Sequence, residues 1–215
     1  MAQKEPNSLE TETGSGAPGP GKAQRTRLRL IEATCEELSE TGSFTAERVA
    51  QRAGTSVATF YVHLPAKDVA LAAAFGRVME ELVSVVEGHL QVERLLEQGL
   101  EALIRSFVEA SIDFFSTRSL VLRCGLAKLP ESRELRHVYR EHQALAFAHF
   151  TRFVSLGQAA GRIRAGSVPL LARTLLVLSQ GLNNPLVLDD EVRAQLPGEL
   201  TRVMVGWLEP VSDPA

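Results

Sequence analysis

Two short stretches with helical spacing, 45–53 and 57–63, meet at a single glycine, Gly54, and this junction restricts the local architecture more than any other part of the chain. Thr45 carries a hydroxyl suited to cap the first stretch, and Val49 and Ala53 fall on one face four residues apart. Gly54 adopts a left-handed backbone without steric cost and so closes that helix, while Ser56 stands where it can cap the next one. The second stretch, Val57-Ala58-Thr59-Phe60-Tyr61-Val62-His63, offers Phe60 as its anchor to a core. Ser56, Val57, Thr59, Tyr61 and His63 then point largely outward. A short exposed helix held by one anchor suits the groove of a nucleic-acid duplex.

The remaining sequence predicts an all-α chain. From Lys22 onward the apolar residues recur at three- and four-residue spacings, with no alternating β-branched run bounded by hairpin turns. The first helix sets Leu28, Ile31, Cys35 and Leu38 on one stripe and stops at Gly42, with Arg25 and Arg29 off the stripe. Further helices are expected over about 66–88, 92–115, 119–128, 134–156, 168–182 and 192–208. Their breaks fall at Gly88, Pro130, Gly157 and Gly161, Asn183-Asn184-Pro185, and Pro197-Gly198.

Charge is distributed unevenly. The net charge of −3 argues against nonspecific nucleic-acid binding by the whole molecule. Residues 22–67 nevertheless hold seven Lys or Arg against five Glu, and they form the one net basic segment. Residues 1–21 hold one Lys and three Glu and end in a Gly- and Pro-rich run, Gly14 to Gly21. They have little to bury and read as a disordered arm.

Several chemistries find no support. Cys35 and Cys124 form no C-x-x-C pair, so neither a disulfide framework nor a zinc knuckle is suggested and a reducing compartment fits. No apolar run reaches the length of a membrane span, and the first twenty residues lack a signal-peptide centre. A soluble, cytoplasmic and nucleoid-associated protein is expected. No G-x-S-x-G, H-E-x-x-H or phosphate-binding G-x-x-x-x-G-K-[ST] motif occurs. His137, His142 and His149 share one helical region, but no Cys or carboxylate completes a recognisable ligand set. His142 reads as a core or pocket histidine, and no metal, cofactor or catalytic residue is expected.

Met79, Phe107, Phe114, Tyr139, Phe147 and Phe150 recur on the middle helices with Ser111, Arg123, His142 and Gln143 nearby. They serve either as plain core or as the wall of a pocket. The stretch 170–182 is apolar around most of its circumference, and the last helix adds Leu200, Val203, Met204, Trp207 and Leu208. A helix apolar all round must be covered on more than one side, by the rest of the bundle or by a partner.

The run Thr45…Val49-Ala50…Ala53-Gly54-Thr55-Ser56…Thr59-Phe60-Tyr61…His63-Leu64…Lys67 resembles the signature of the tetracycline-repressor (TetR) family. The likeness extends over about 24–84, with the helix-turn-helix itself at 45–64. It departs from the family pattern at Thr55 (usually Val or Ile), Ala58 (often Gly) and Leu64 (often Phe). The resemblance implies an N-terminal three-helix helix-turn-helix domain at 22–67, followed by a larger helical ligand-binding and dimerisation domain at 68–215. It further implies that Val57 to His63 is the recognition helix and that Thr45, Tyr61, His63 and Lys67 touch phosphates. For Lys67 the physics agrees, since it is cationic at a helix start whose amides also attract anions.

No Arg, Lys, Asn or Gln lies between Ser56 and Val62, so bidentate reading of guanine or adenine by this helix is excluded. Sequence readout is left to apolar contact of Val57 and Ala58 with thymine methyls, to a hydroxyl from Thr59, and to DNA shape, supplemented by Arg25 and Arg27. The resemblance also implies a small-molecule pocket, for which Met79, Phe107, Ser111, Phe114, Tyr139, His142 and Phe150 are the candidates. The implied dimer interface takes Leu171, Thr174, Leu175, Leu178, Leu182, Leu200, Val203, Met204 and Trp207. The partners expected are a double-stranded operator, an apolar or amphipathic small molecule, and a second copy of the chain. The function implied is a transcriptional repressor released from a near-palindromic operator by that ligand. The alternative is a helical small-molecule-binding protein or enzyme whose N-terminal domain only resembles the motif.

Overall fold

Gly42, with φ +69, terminates the first helix by turning its N–H onto Leu38 O at 2.8 Å, and the side chains of Thr45, Ser56, Ser132 and Asp189 cap the starts of four later helices. The computed structural model describes residues 21–184 and 189–210. The expected arm, up to residue 20, lies outside them. The described residues form α1 (Lys22–Thr41), α2 (Ala46–Arg52), α3 (Val57–His63), α4 (Lys67–His89), α5 (Val92–Lys128), α6 (Arg133–Ala159), α7 (Val168–Gly181) and α8 (Asp190–Leu208). No strand occurs among them, in agreement with the all-α expectation.

Three boundaries differ from the expectation. The predicted helices 92–115 and 119–128 are one helix. Its polar residues at 116 and 117 do not break it, because Ser116 Oγ and Thr117 Oγ1 donate back to Asp113 O and Phe114 O at 2.7 and 3.0 Å. The interruption sits instead near the start of α5, at Gly99, whose φ of 82° and ψ of 167° suit only glycine. Pro197 likewise lies inside α8 and does not end it. The carbonyl of Pro197 is taken by Thr201 Oγ1 at 2.7 Å.

The core is continuous from α1 to α8. Helix α4 packs against α5 and α6, α7 rests on α6, α8 rests on α5, and α1 bridges α4 and α5. Within α1 the buried stripe is Leu30, Ile31, Cys35 and Leu38, whereas Leu28 faces an open groove beside α4. Close approach of α4 to α5 depends on Gly125, where an added Cβ would lie 2.1 Å from Cδ2 of the buried Phe75. Both cysteines are free thiols. Cys35 donates to Ala74 O at 3.6 Å and Cys124 to Gly42 O at 3.2 Å, so the second ties α5 to the cap of α1. Burial pushes the Cys35 thiol up to about 12, which keeps it protonated and unreactive.

Candidate nucleic-acid interface and ligand cavity

The junction at Gly54 is built as its residues suggest. Thr45 Oγ1 accepts from Arg48 N at 3.3 Å and Ser56 Oγ accepts from Thr59 N at 3.1 Å, so each short helix has its own cap. Gly54 has φ +63. Phe60 and Leu64 are fully buried. Tyr61 meets Phe60 edge to face at 5.2 Å and stays exposed.

The outward face of α3 carries Ala58, Tyr61 and Val62 at helical i, i+3, i+4 spacing. Val62 is 78% exposed, and the sequence reading passed over it. Its signal was available, since an apolar residue beside the Phe60 anchor but off its face has nothing of its own chain to cover it. Val57, Thr59 and His63 are half-buried, and Ser56 is exposed. The Thr59 hydroxyl lies 2.9 Å from Ser56 Oγ, so it already has a partner inside the cap.

Lys67 is exposed as the first residue of α4. Close to it stands Glu47, whose carboxyl is held below the usual carboxylate range by its own backbone amide, by Thr45 and by the charge of Lys67. The proximity of a carboxylate to the expected phosphate-binding group was not read from the sequence. Arg25 is exposed on α1. Arg27 lines the groove between α1, α4 and α6 together with Glu134 and Glu141, away from α3.

Charge pairing fixes α2 to α1. Glu37, only 4% exposed at its side chain, accepts from Arg52 Nε at 2.8 Å and faces Arg48 Nε at 2.7 Å. The Arg48 approach is an ion pair without an aligned hydrogen bond. Arg52 also reaches Glu40 through both terminal nitrogens, at 2.8 and 2.6 Å, and Glu36 at 3.3 Å. Arg48 and Arg52 are therefore engaged with carboxylates. The net basic character lies at the start of α1 and at Lys67.

A cavity of about 40 Å³ lies between α4, α5, α6 and α7. Four of the seven pocket residues read from the sequence line it: Met79, Phe107, Ser111 and Phe150. The other three do not. Phe114 packs edge to face on Phe115 at 5.3 Å, and Tyr139 lies over Phe75 with ring centres 6.4 Å apart. His142 Nδ1 donates to Val138 O at 2.7 Å, and the ring faces the Arg27 groove instead of the cavity. Gln143, Leu176 and Gln180 are among the other residues that line it, the last two from α7.

On α7 and α8 the structure corrects four interface residues. Leu171, Leu175, Leu182 and Met204 are buried within the chain itself, where α7 seats on α6 and α8 on α5. Thr174, Leu200 and Trp207 are half-buried, and Arg164 lies over the Trp207 ring at 5.1 Å. The exposed large apolar residues of these two helices are Leu170, Val177 and Leu178 on α7 and Val203 on α8. Among the described residues there is no cluster of three or more metal-ligating side chains, and no helix is long and apolar enough to cross a membrane.

No family model matches the sequence, and no curated protein matches it either. Solved structures do match. A TetR-family transcriptional regulator from Mesorhizobium loti superposes with a TM-score of 0.71 at 18% identity, over 87% of this chain and 95% of its own. A TetR transcription regulator from Haloarcula marismortui gives 0.70 at 18%, over 86% and 96%. PfmR, a TetR-family regulator from Thermus thermophilus, gives 0.64 at 20%, over 86% and 100%. The chain has the TetR-family fold. In this TetR-like frame, α1 to α3 form the helix-turn-helix unit, α4 leads away from it, and α5 to α8 complete the helical body.

Proposed function

We propose that this chain is a homodimeric transcriptional repressor of the TetR type, dividing at about Lys67 into a DNA-binding unit and a ligand-binding, dimerising body. The observation that carries the reading is the outward face of α3, with Ala58, Tyr61 and Val62 exposed over a buried Phe60 and Lys67 exposed at the next helix start. Two such helices, about 34 Å apart in a dimer, enter successive major grooves of a near-palindromic operator. Tyr61, His63, Thr45 and Lys67 position the protein on phosphates, with Arg25 adding charge. Ala58, Val57 and Val62 meet thymine methyls, Ser56 and Thr59 lend their hydroxyls, and DNA shape supplies the remaining discrimination.

The open face of Leu170, Val177, Leu178 and Val203 is the surface that a second copy covers, with Thr174, Leu200 and Trp207 at its margin. Helix α4 couples the two functions. It starts with Lys67 and, three to five turns later, contributes Met79, Leu82, Val83 and Val86 to the cavity. A ligand that prefers one tilt of α4 shifts operator affinity by its differential affinity for the two states, and about 1.4 kcal/mol is needed for each tenfold.

Operator selection from random duplexes with the full chain tests the reading. A near-palindrome should emerge, and Lys67→Ala should weaken binding to every duplex similarly while reducing the slope of log affinity against log salt by about one. Failure to enrich any sequence, or a Lys67→Ala protein with unchanged affinity and slope, refutes it.

A further inference from the structure

We propose that the groove between α1, α4 and α6 binds a small primary amine, with a short apolar chain laid against α1 and α4 and the ammonium group at the α6 wall. The groove has a volume of about 340 Å³, which is room for such a molecule. It lies on a different face of α4 from the cavity and nearer the start of that helix, so neither site depends on the other. Because α1 belongs to the helix-turn-helix unit and α6 to the body, an occupant touches both.

Small residues of α4 make the floor. Ala72, Ala73 and Gly76 line it, and at Gly76 an added Cβ would stand 3.3 Å from Val138 Cγ1 on α6, so little of α4 rises into the space between its neighbours. Leu28 forms the α1 wall and is 48% exposed, an apolar surface that the chain itself leaves uncovered. The polar groups select the head. His142 is only 9% exposed, and its Nδ1 is occupied by Val138 O. In the neutral ring Nε2 is then an acceptor, and among the described residues no group donates to it. Glu134 and Glu141, both exposed, line the groove from the same helix. Glu141 has no closer ion-pair partner than His137, at 3.9 Å. Two arginines line the groove as well, but Arg77 is already paired with Glu80 and Glu81, each at 3.5 Å. That leaves Arg27 against two carboxylates, a negative surplus. An ammonium donates three hydrogen bonds and accepts none, which matches an unpaired imidazole acceptor beside carboxylates. The groove is open to solvent, so the charge keeps part of its water while the apolar chain covers Leu28. A carboxylate meets the same surplus with the wrong sign, and an alcohol gains the apolar contact without the charge.

The test is a matched series, hexylammonium, 1-hexanol and hexanoate, titrated into the full-length protein at pH 7.5 and followed by ligand-observed NMR. One hexylammonium per chain is expected, bound at least fivefold more tightly than either homologue. Glu134→Gln combined with Glu141→Gln, at two exposed positions, should bring the amine down to the affinity of hexanol and leave hexanol itself unchanged. Ala73→Trp fills the floor and should remove the binding of amine and alcohol alike while the far-ultraviolet circular dichroism is unchanged. If that variant does not fold, Leu28→Ala takes its place and should weaken both several-fold. Hexanol or hexanoate that binds as tightly as the amine overturns the proposal, and so does a series in which no member binds. An amine that keeps its advantage in the double glutamine variant, or whose binding survives the groove substitutions unaltered, overturns it too. None of these readings involves operator affinity, so they stand or fall apart from DNA binding.

Discussion

Replacing Glu37 by Gln isolates the charge that holds α2 against α1. The substitution keeps the shape of the side chain but removes a carboxylate buried to 4% exposure, with Arg52 Nε at 2.8 Å and Arg48 Nε at 2.7 Å. The Arg52 donor stays charged, so a bond to the Gln oxygen keeps part of the about 1.5–3 kcal/mol of a charge-assisted hydrogen bond, and the loss of the opposing charge costs roughly 1–2 kcal/mol at this contact. The new amide also turns either its oxygen or its NH₂ toward two guanidinium groups, and one of these contacts sets donor against donor. Against this, Arg52 is 29% and Arg48 47% exposed, so both regain water and Arg52 keeps Glu40 and Glu36. The full penalty of a stranded buried charge therefore does not apply. The net expectation is about 2 kcal/mol, which for a chain of this length lowers the melting temperature by about 4–8 °C. Arg48→Ala should cost less than half as much, because Glu37 retains Arg52. Thermal and urea unfolding of the three proteins provide the measurement. A Glu37→Gln protein within about 0.5 kcal/mol of wild type, or an Arg48→Ala loss exceeding it, would refute the assignment of Arg52–Glu37 as the principal link.

The same cluster makes acid stability predictable in sign. The hydrogen bond from Arg52 depresses the Glu40 pKa below its ordinary 4.5, so this stabilisation is complete above 4.5 and is lost as pH falls through the lower folded value. Urea midpoints should therefore drop below pH 4.5, and Glu40→Gln should lower the neutral-pH midpoint while flattening that drop. Val177 is 64% exposed, and covering a valine fully contributes about 1.5–3 kcal/mol. With two copies per symmetric interface, Val177→Asp should weaken dimerisation by roughly 30-fold or more, seen as a lower mass by light scattering, and an unchanged mass at micromolar concentration speaks against the interface. Gly125→Ala drives a methyl into Phe75 and should cost about 1–3 kcal/mol, read by the urea midpoint; a neutral substitution there means that α4 and α5 part easily.

Much of the helix-turn-helix unit was legible because its signals are local. The Thr45 and Ser56 caps, the left-handed Gly54 and the Phe60 anchor are all fixed by neighbours within four residues, and each stands in the structure where the sequence places it. The expected stop after residue 115 failed for the converse reason. Ser116 and Thr117 have low helix preference, yet their hydroxyls bond to carbonyls of their own helix, a choice that packing and not composition makes. Pro197 in α8 is a similar case.

The candidate sites divide along the same line. Aromatic spacing on the middle helices identified a set of core-facing residues, but Phe107 and Phe150 border the cavity while Phe114 and Tyr139 pack elsewhere, a difference of a fraction of a turn in helix rotation. The sequence by itself determined that the described chain is helical, the Thr45 and Ser56 caps, and the absence of a cationic or amide reader between Ser56 and Val62. Only the tertiary structure decided that Leu175 is core while Val177 is open, that His142 faces a groove beside Arg27, and that Arg52 closes on three glutamates 12 to 16 residues away. Caps and turns are set by hydrogen bonds along the chain. Which apolar face is covered, and which charge finds a partner, is set by elements that meet only when the whole core closes.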